Sequence, residues 1–156
     1  MQLDEGLKQF LKKPLMIIVG TAGAECRPAI ARAVGVFLPS EGGHIDITIS
    51  SWQWPETIAN IHDTGRLAAT FVCPSDYVTY QMKGKAWLRS PDADDYRRSD
   101  HFIDAIRAEL IDLGVPGMIA APWLTNRDAM VATLAVSEIY VQTPGPNAGR
   151  TAGRPS

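Results

Sequence analysis

The strand-forming segments of this chain follow one another through turns instead of alternating with helices, and that order excludes a sheet built from parallel crossover units. Residues 15–21 (Leu-Met-Ile-Ile-Val-Gly-Thr) read as a short buried strand, and residues 27–38 as a second, with Gly23 to Glu25 as the hairpin turn between them. Ser40 to Gly43 make the next turn. Beyond it Ile45, Ile47 and Ile49 alternate with Asp46, Thr48 and Ser50, a period of two that predicts a strand with one apolar and one polar face. Residues 66–73 and 77–89 form the next pair, turned at Pro74 and Ser75. The 77–89 segment is predicted to be the longest strand, with Gln81, Lys83 and Lys85 on one face and Tyr80, Met82 and Gly84 on the other. Residues 131–141 are the last strand.

Helices interrupt this series in three places. Leu3, Leu7, Phe10 and Leu11 put one apolar face on a helix over residues 3–12, which Pro14 ends. Pro55 suits a first helical position, Glu56 suits the positive end of the dipole, and Gly65 closes that short helix. Ser90-Pro91-Asp92 starts a longer helix with Ser90 as its cap. Ile103, Ile106, Leu110 and Leu113 form its stripe, and Gly114 and Pro116 stop it. Residues 117–124 read as irregular or a short helical turn. The sum is helix, three strands, short helix, two strands, long helix, strand: a mainly β chain whose hairpin-linked strands close into an antiparallel barrel. Residues 1–141 make this one domain, and the Gly- and Pro-rich residues 142–156 make a tail without periodicity.

Composition removes several function classes. An apolar share of 46% and a charged share of 21% over 156 residues suit one domain with its own core. The net charge of −2 argues against a general nucleic-acid binder. Arg97 and Arg98 sit among Asp92, Asp94, Asp95 and Asp100, which reads as a solvated helix face. No stretch approaches the roughly 20 apolar residues of a membrane span, and no basic segment leads into an apolar one at the start. The expectation is a cytoplasmic protein that engages neither membrane nor nucleic acid, with Cys26 and Cys73 as two unpaired thiols. His44, His62 and His101 are not at metal-ligand spacing, so no metal site is expected. Ser75-Asp76 lacks the context of a nucleophile elbow.

Three segments carry a resemblance. They are Arg27 to Gly35; Ile47-Thr48-Ile49-Ser50-Ser51 leading through Pro55-Glu56-Thr57-Ile58-Ala59-Asn60-Ile61 to Gly65-Arg66-Leu67-Ala68-Ala69-Thr70-Phe71; and Tyr80-Gln81-Met82-Lys83-Gly84-Lys85-Ala86. Their order and spacing over residues 14–90 resemble the pyridoxamine 5′-phosphate oxidase-related, FMN-binding family. The closing run Gln142 to Gly149 is similar to the ending of one subgroup.

The resemblance implies a six-stranded antiparallel split barrel, a homodimer, and an FMN site at the dimer interface that serves an oxidoreductase acting on a small molecule. It places Arg32 at a phosphate-binding position, with Ala33 and Val34 beside it also among the cofactor-binding residues. It places Ser50 and Ser51 where hydroxyl and backbone groups meet the flavin, and Thr57 where a phosphate-binding Lys or Arg often starts the helix. Thr79 and Gln81, with Lys83 beyond them, fall on the strand that approaches the ring from the partner subunit. The physical logic agrees: a dianionic phosphate needs charge-assisted donors, and a helix N-terminus supplies some.

The departures are Pro55-Glu56-Thr57 in place of a Ser-Arg/Lys-Lys run, Phe37 in place of a second basic residue, and no Arg-rich end after residue 141. Genuine pyridoxamine 5′-phosphate oxidase activity is therefore not expected. No catalytic residue is assigned. A non-enzymatic flavin-binding, haem-binding or F420-binding protein on the same scaffold is the alternative. The residues themselves allow plainer readings: Arg32 as a strand-surface cation paired with an acid, Lys83 and Lys85 as a solvated strand face, Trp52 and Trp54 as packing around a helix start.

Overall fold

A computed structural model describes residues 3–39 and 43–152 of the chain. Asp4 starts the first helix, α1 (Glu5–Phe10), by accepting a hydrogen bond from the Leu7 amide at 2.8 Å. Seven strands follow: β1 (Met16–Ala22), β2 (Pro28–Ala33), β3 (Val36–Phe37), β4 (His44–Ser50), β5 (Arg66–Val72), β6 (Thr79–Arg89) and β7 (Ala129–Val141). Helix α2 (Pro55–Thr64) joins β4 to β5. Helix α3 (Ala93–Asp112), α4 (Gly117–Ala120) and a 3-10 turn at Ala121–Trp123 join β6 to β7. The turn read at Ser40 to Gly43 lies, except for Gly43, outside the described residues.

The strand order is β2-β1-β5-β6-β7-β4-β3, antiparallel throughout. Its two ends, β2 and β3, are separated in sequence only by Val34 and Gly35. The Val34 amide donates to the Thr48 carbonyl at 2.8 Å, and the Thr48 amide to the Gly35 carbonyl at 3.0 Å. The sheet therefore closes on itself. The segment read as one strand over 27–38 is two, because it pairs first with β1 and then leaves it for β4; that change of partner is what shuts the barrel. Seven named strands thus make a six-membered circuit.

Inward positions alternate along every strand. Ile17 and Val19, Ile45, Ile47 and Ile49, Leu67, Ala69 and Phe71, Met82 and Leu134 are all buried in one core. Phe10 of α1 packs edge-on against Tyr80, ring centroids 5.0 Å apart. Helix α2 contributes Ile61, and its Asn60 Nδ2 donates to Thr21 Oγ1 at 3.2 Å. Gly65 ends α2 at φ 62°, the left-handed conformation a glycine adopts without penalty. Gly84 lies at the register shift between β6 and β7, where a Cβ would stand 1.9 Å from the Ala135 carbonyl oxygen.

Several local expectations are corrected. The polar face of β4 is not solvated: Asp46 is 8%, Thr48 8% and Ser50 1% exposed. The longest strand is the 13-residue β7, while β6 has 11 residues and begins at Thr79. Helix α3 is capped by Asp92 rather than Ser90, in a reciprocal box with Asp95, because the acid three residues on can return a hydrogen bond to the cap amide. Leu113 stands at the C-cap, beyond the last turn that packs, and is 48% exposed; Ile103, Ile106 and Leu110 hold the stripe. The acid-base cluster of α3 is only half solvated. Arg97 and Asp94 pair in solvent, but Asp95 is buried beneath Arg89 and Arg98.

Residues 142–152 fold back on the barrel. The Val141 amide donates to the Arg150 carbonyl at 2.8 Å and the Ala152 amide to the Ile139 carbonyl at 2.8 Å. They fill the side of β7 that β4 does not reach, since β4 pairs only with Ala129 to Ala135. Among the described residues no helix is long and apolar enough to cross a membrane. Cys26 is exposed, Cys73 is buried, and both are free.

Candidate functional site

The circuit has two unlike outer faces. On one, α3 covers β4 and the ends of β6 and β7. On the other, the outward residues from Ile18 and Ile30 across β5 to Lys83 of β6 are left open, while Met16 at the start of β1 packs on Ile106 and Leu110 of α3 and Arg32 near the end of β2 lies against Trp123 of the 3-10 turn. Strand register aligns these residues in a row: Arg32 opposite Ile18, Ile18 opposite Thr70, Thr70 opposite Gln81, and Gln81 opposite Tyr140. The next row is Ile30, Gly20, Ala68, Lys83 and Glu138. Ile30 is 70% and Ile18 36% exposed, so a folded core has left large apolar side chains in water here. Small residues, Gly20 and Ala68, floor a depression of about 560 Å³ between Ile30 and Lys83.

Arg32 is half-buried and has no carboxylate partner among the described residues. Its guanidinium instead lies 4.4 Å over the Trp123 ring. An arginine held on an aromatic face keeps its edge donors for an oxyanion. Gln81 Nε2 donates to Thr70 Oγ1 at 3.1 Å, which fixes the amide and leaves its carbonyl oxygen as an outward acceptor. Lys83 Nζ lies 4.9 Å over the Tyr140 ring. The Tyr140 hydroxyl donates to the Glu138 carboxylate, and that bond, with the carboxylate's charge, holds the phenol above its usual pKa.

The other expected site residues are placed differently. Ser50 Oγ donates to the Arg127 carbonyl at 2.7 Å, and Ser51 Oγ to the Asp128 carbonyl at 2.6 Å. Both hydroxyls thereby tie the loop after β4 to the start of β7. Thr57 is 1% exposed on the packed side of α2. Ala33 and Val34 are 4% and 1% exposed, and the Val34 carbonyl accepts from Ser99 Oγ at 2.7 Å. Thr79 is 7% exposed; its hydroxyl donates to the Tyr77 carbonyl at 2.8 Å and its amide to Thr143 Oγ1 at 3.0 Å. The structure thus brings Arg32, Gln81 and Lys83 together on one open face and sets the remaining six elsewhere.

The start of α2 offers little to an anion beyond backbone. Ile58 is the first amide to find a helical acceptor, at Trp54. The helix contains neither Lys nor Arg, and exposed Glu56 stands in its first turn. Trp54 packs on the core, whereas Trp52 is 54% exposed beneath Arg127, 4.4 Å from its ring. Gln53 Oε1 and Trp54 Nε1 are buried without hydrogen-bond partners.

Trp123, Thr70 and Tyr140 were not among the residues picked from sequence. Thr70 could have been found, because the hairpin that closes at Val72 and Thr79 fixes it opposite Gln81. Trp123 had no such signal, since it reaches Arg32 from a connection 91 residues away in the chain.

No family model and no curated protein matches the sequence. Solved structures do match the fold. An F420 reductase aligns with a TM-score of 0.56 at 15% identity, over 88% of this chain and 98% of its own. HutZ, the haem storage protein from Vibrio cholerae, aligns at 0.53 and 15%, over 90% and 95%. A pyridoxamine 5′-phosphate oxidase-related, FMN-binding protein from Nostoc punctiforme aligns at 0.54 and 11%, over 94% and 89%. Strand circuit, flanking helices and near-complete coverage together establish that this chain has the split-barrel fold that these proteins share.

Proposed function

We propose that this chain binds FMN on the open face of β1, β2, β5 and β6, that a second copy completes the site, and that the loaded protein is an oxidoreductase acting on a small molecule. The observation that carries this reading is Arg32: a half-buried cation without a carboxylate partner among the described residues, in register with Gln81 on a face that leaves Ile18 and Ile30 in water. Arg32 would hold the phosphate by charge-assisted hydrogen bonds. Gln81, locked by Thr70, would meet the polar edge of the ring, and Ile18 and Ile30 would lie against its apolar part. A second copy set on this face would exclude water and bury both isoleucines. The bound flavin would supply hydride chemistry at its N5, with the protein contributing orientation and electrostatics.

The open face fits such a group, whereas the start of α2 does not provide the charged cradle expected of a tight phosphate site. That shortfall favours a second reading, a non-enzymatic carrier or sensor of flavin, haem or F420. An F420 reductase and a haem storage protein on the same fold are consistent with it. Titration of the purified protein with FMN, F420 and haem in parallel, followed by absorption, separates the readings. Binding of FMN at micromolar concentration with turnover by a nicotinamide or oxygen is expected; no flavin bands under these conditions would overturn the proposal. Flavin binding without turnover would select the carrier.

A further inference from the structure

A second concavity lies away from the open face, between the end of α1, β3 and α3. It encloses about 570 Å³, within the range of small-molecule sites. Its walls are apolar: Leu11 and Pro14 from one side, Val36 and Leu38 from β3 and the residue after it, Phe102 and Ala105 from α3. Phe102 and Ala105 share a helix face with Arg98, four and seven residues beyond it. The rim is basic. Lys12 and Lys13 follow α1, and Arg97, Arg98 and His101 line the α3 side. Among the described residues no carboxylate lines the cavity.

The rim cations differ in what they already hold. Arg97 and Arg98 each give one edge to an acid of their own helix, Asp94 at 2.5 Å and Asp95 at 2.7 Å. Arg98 also lies 4.1 Å over the Phe37 ring. Lys13 reaches Asp76 at 3.4 Å. Lys12 and His101 are exposed and, among the described residues, engage no acid. A dianionic phosphate would want a free guanidinium fork. The two groups left over are an ammonium and an imidazole, which suit a single carboxylate.

We infer that this cavity is a second ligand site, taking a small monocarboxylate with an apolar body, its chain or ring among Leu11, Val36, Phe102 and Ala105 and its carboxylate at Lys12 and His101. The site is independent of the flavin reading and shares no residue with the open face.

Decanoate is the probe, with decanol as its uncharged counterpart. Calorimetric titration of the full chain is expected to show one saturable decanoate site and binding of decanol at least about tenfold weaker. The double charge reversal Lys12→Glu with His101→Glu, at two exposed positions, should weaken decanoate about tenfold and leave decanol unchanged. A nuclear magnetic resonance titration locates the ligand: the His101 ring signal, assigned by its loss in His101→Gln, must move with decanoate occupancy. No decanoate binding at millimolar concentration, equal binding of decanol, or saturation without movement of the His101 signal would each overturn the inference. FMN affinity is expected to be the same in the double variant, so failure here does not touch the flavin proposal.

Discussion

The two outer faces of the barrel follow the same strand alternation, yet one is a buried charge network and the other is open. On the covered face Arg89 donates to Asp46 Oδ2 at 2.6 Å and to both oxygens of Asp95. Thr133 Oγ1 donates to Asp46 Oδ1 at 2.6 Å. On the open face Arg32 has an aromatic ring and no acid. An outward polar residue on a strand therefore says nothing by itself about solvent. The covering element decides, and the charge then either finds a structural partner or remains for a ligand. The covered face is spent on stability and the open face is not.

The largest test of this contrast is Arg89→Ala. It strands two buried carboxylates and should cost about 3 kcal/mol in urea unfolding. An effect below about 1 kcal/mol would mean that the network is solvated after all. Next comes pH. Arg89 first, with the Asp92 amide and Arg98, holds the Asp95 carboxyl well below its ordinary 3.8. A depressed folded pKa gives stability that is present above the unfolded value and lost as pH falls through the folded one. The wild-type chain should thus lose stability as pH drops below about 3.8, whereas Asp95→Asn should be weaker at neutral pH and flatter across that acid range. Ser99→Ala removes the hydroxyl that ties α3 to the Val34 carbonyl, and about 1 kcal/mol is expected. Smallest in stability is Arg32→Ala, about 0.5–1 kcal/mol for the stacking on Trp123. The same substitution should weaken FMN at least tenfold, a loss of about 1.4 kcal/mol in binding. Arg89 variants should change stability far more than the flavin affinity of the folded fraction.

The barrel was legible in sequence because hairpin order and period-two alternation are local. Ile45 to Ile49, Leu67 to Phe71 and the Gly65 stop all reappear where the pattern put them. Barrel closure was not legible, since the exchange of partners at Val34 and Gly35 depends on where Thr48 lies in three dimensions. The same limit explains β4: Asp46 looks solvent-facing until Arg89, held by Asp95 of α3, closes over it, and Ser50 until the Arg127 carbonyl takes its hydroxyl. Of the expected site residues, Arg32, Gln81 and Lys83 share the open face because period two along β2 and β6 puts them there. The hydroxyls of Ser50 and Ser51 could not be judged from sequence, because the carbonyls that claim them belong to Arg127 and Asp128.

The central claim is that the open face serves both as the contact between two copies and as the flavin site. Sedimentation velocity recorded at the flavin absorption band, for the wild-type chain and for Ile30→Glu with FMN added, tests both halves at once. Ile30 is 70% exposed, so the substitution leaves the monomer fold intact while placing a charge in the contact. The account predicts wild-type dimer carrying flavin and Ile30→Glu monomer without it. Flavin sedimenting equally with an Ile30→Glu monomer, or no flavin with either protein, would contradict it.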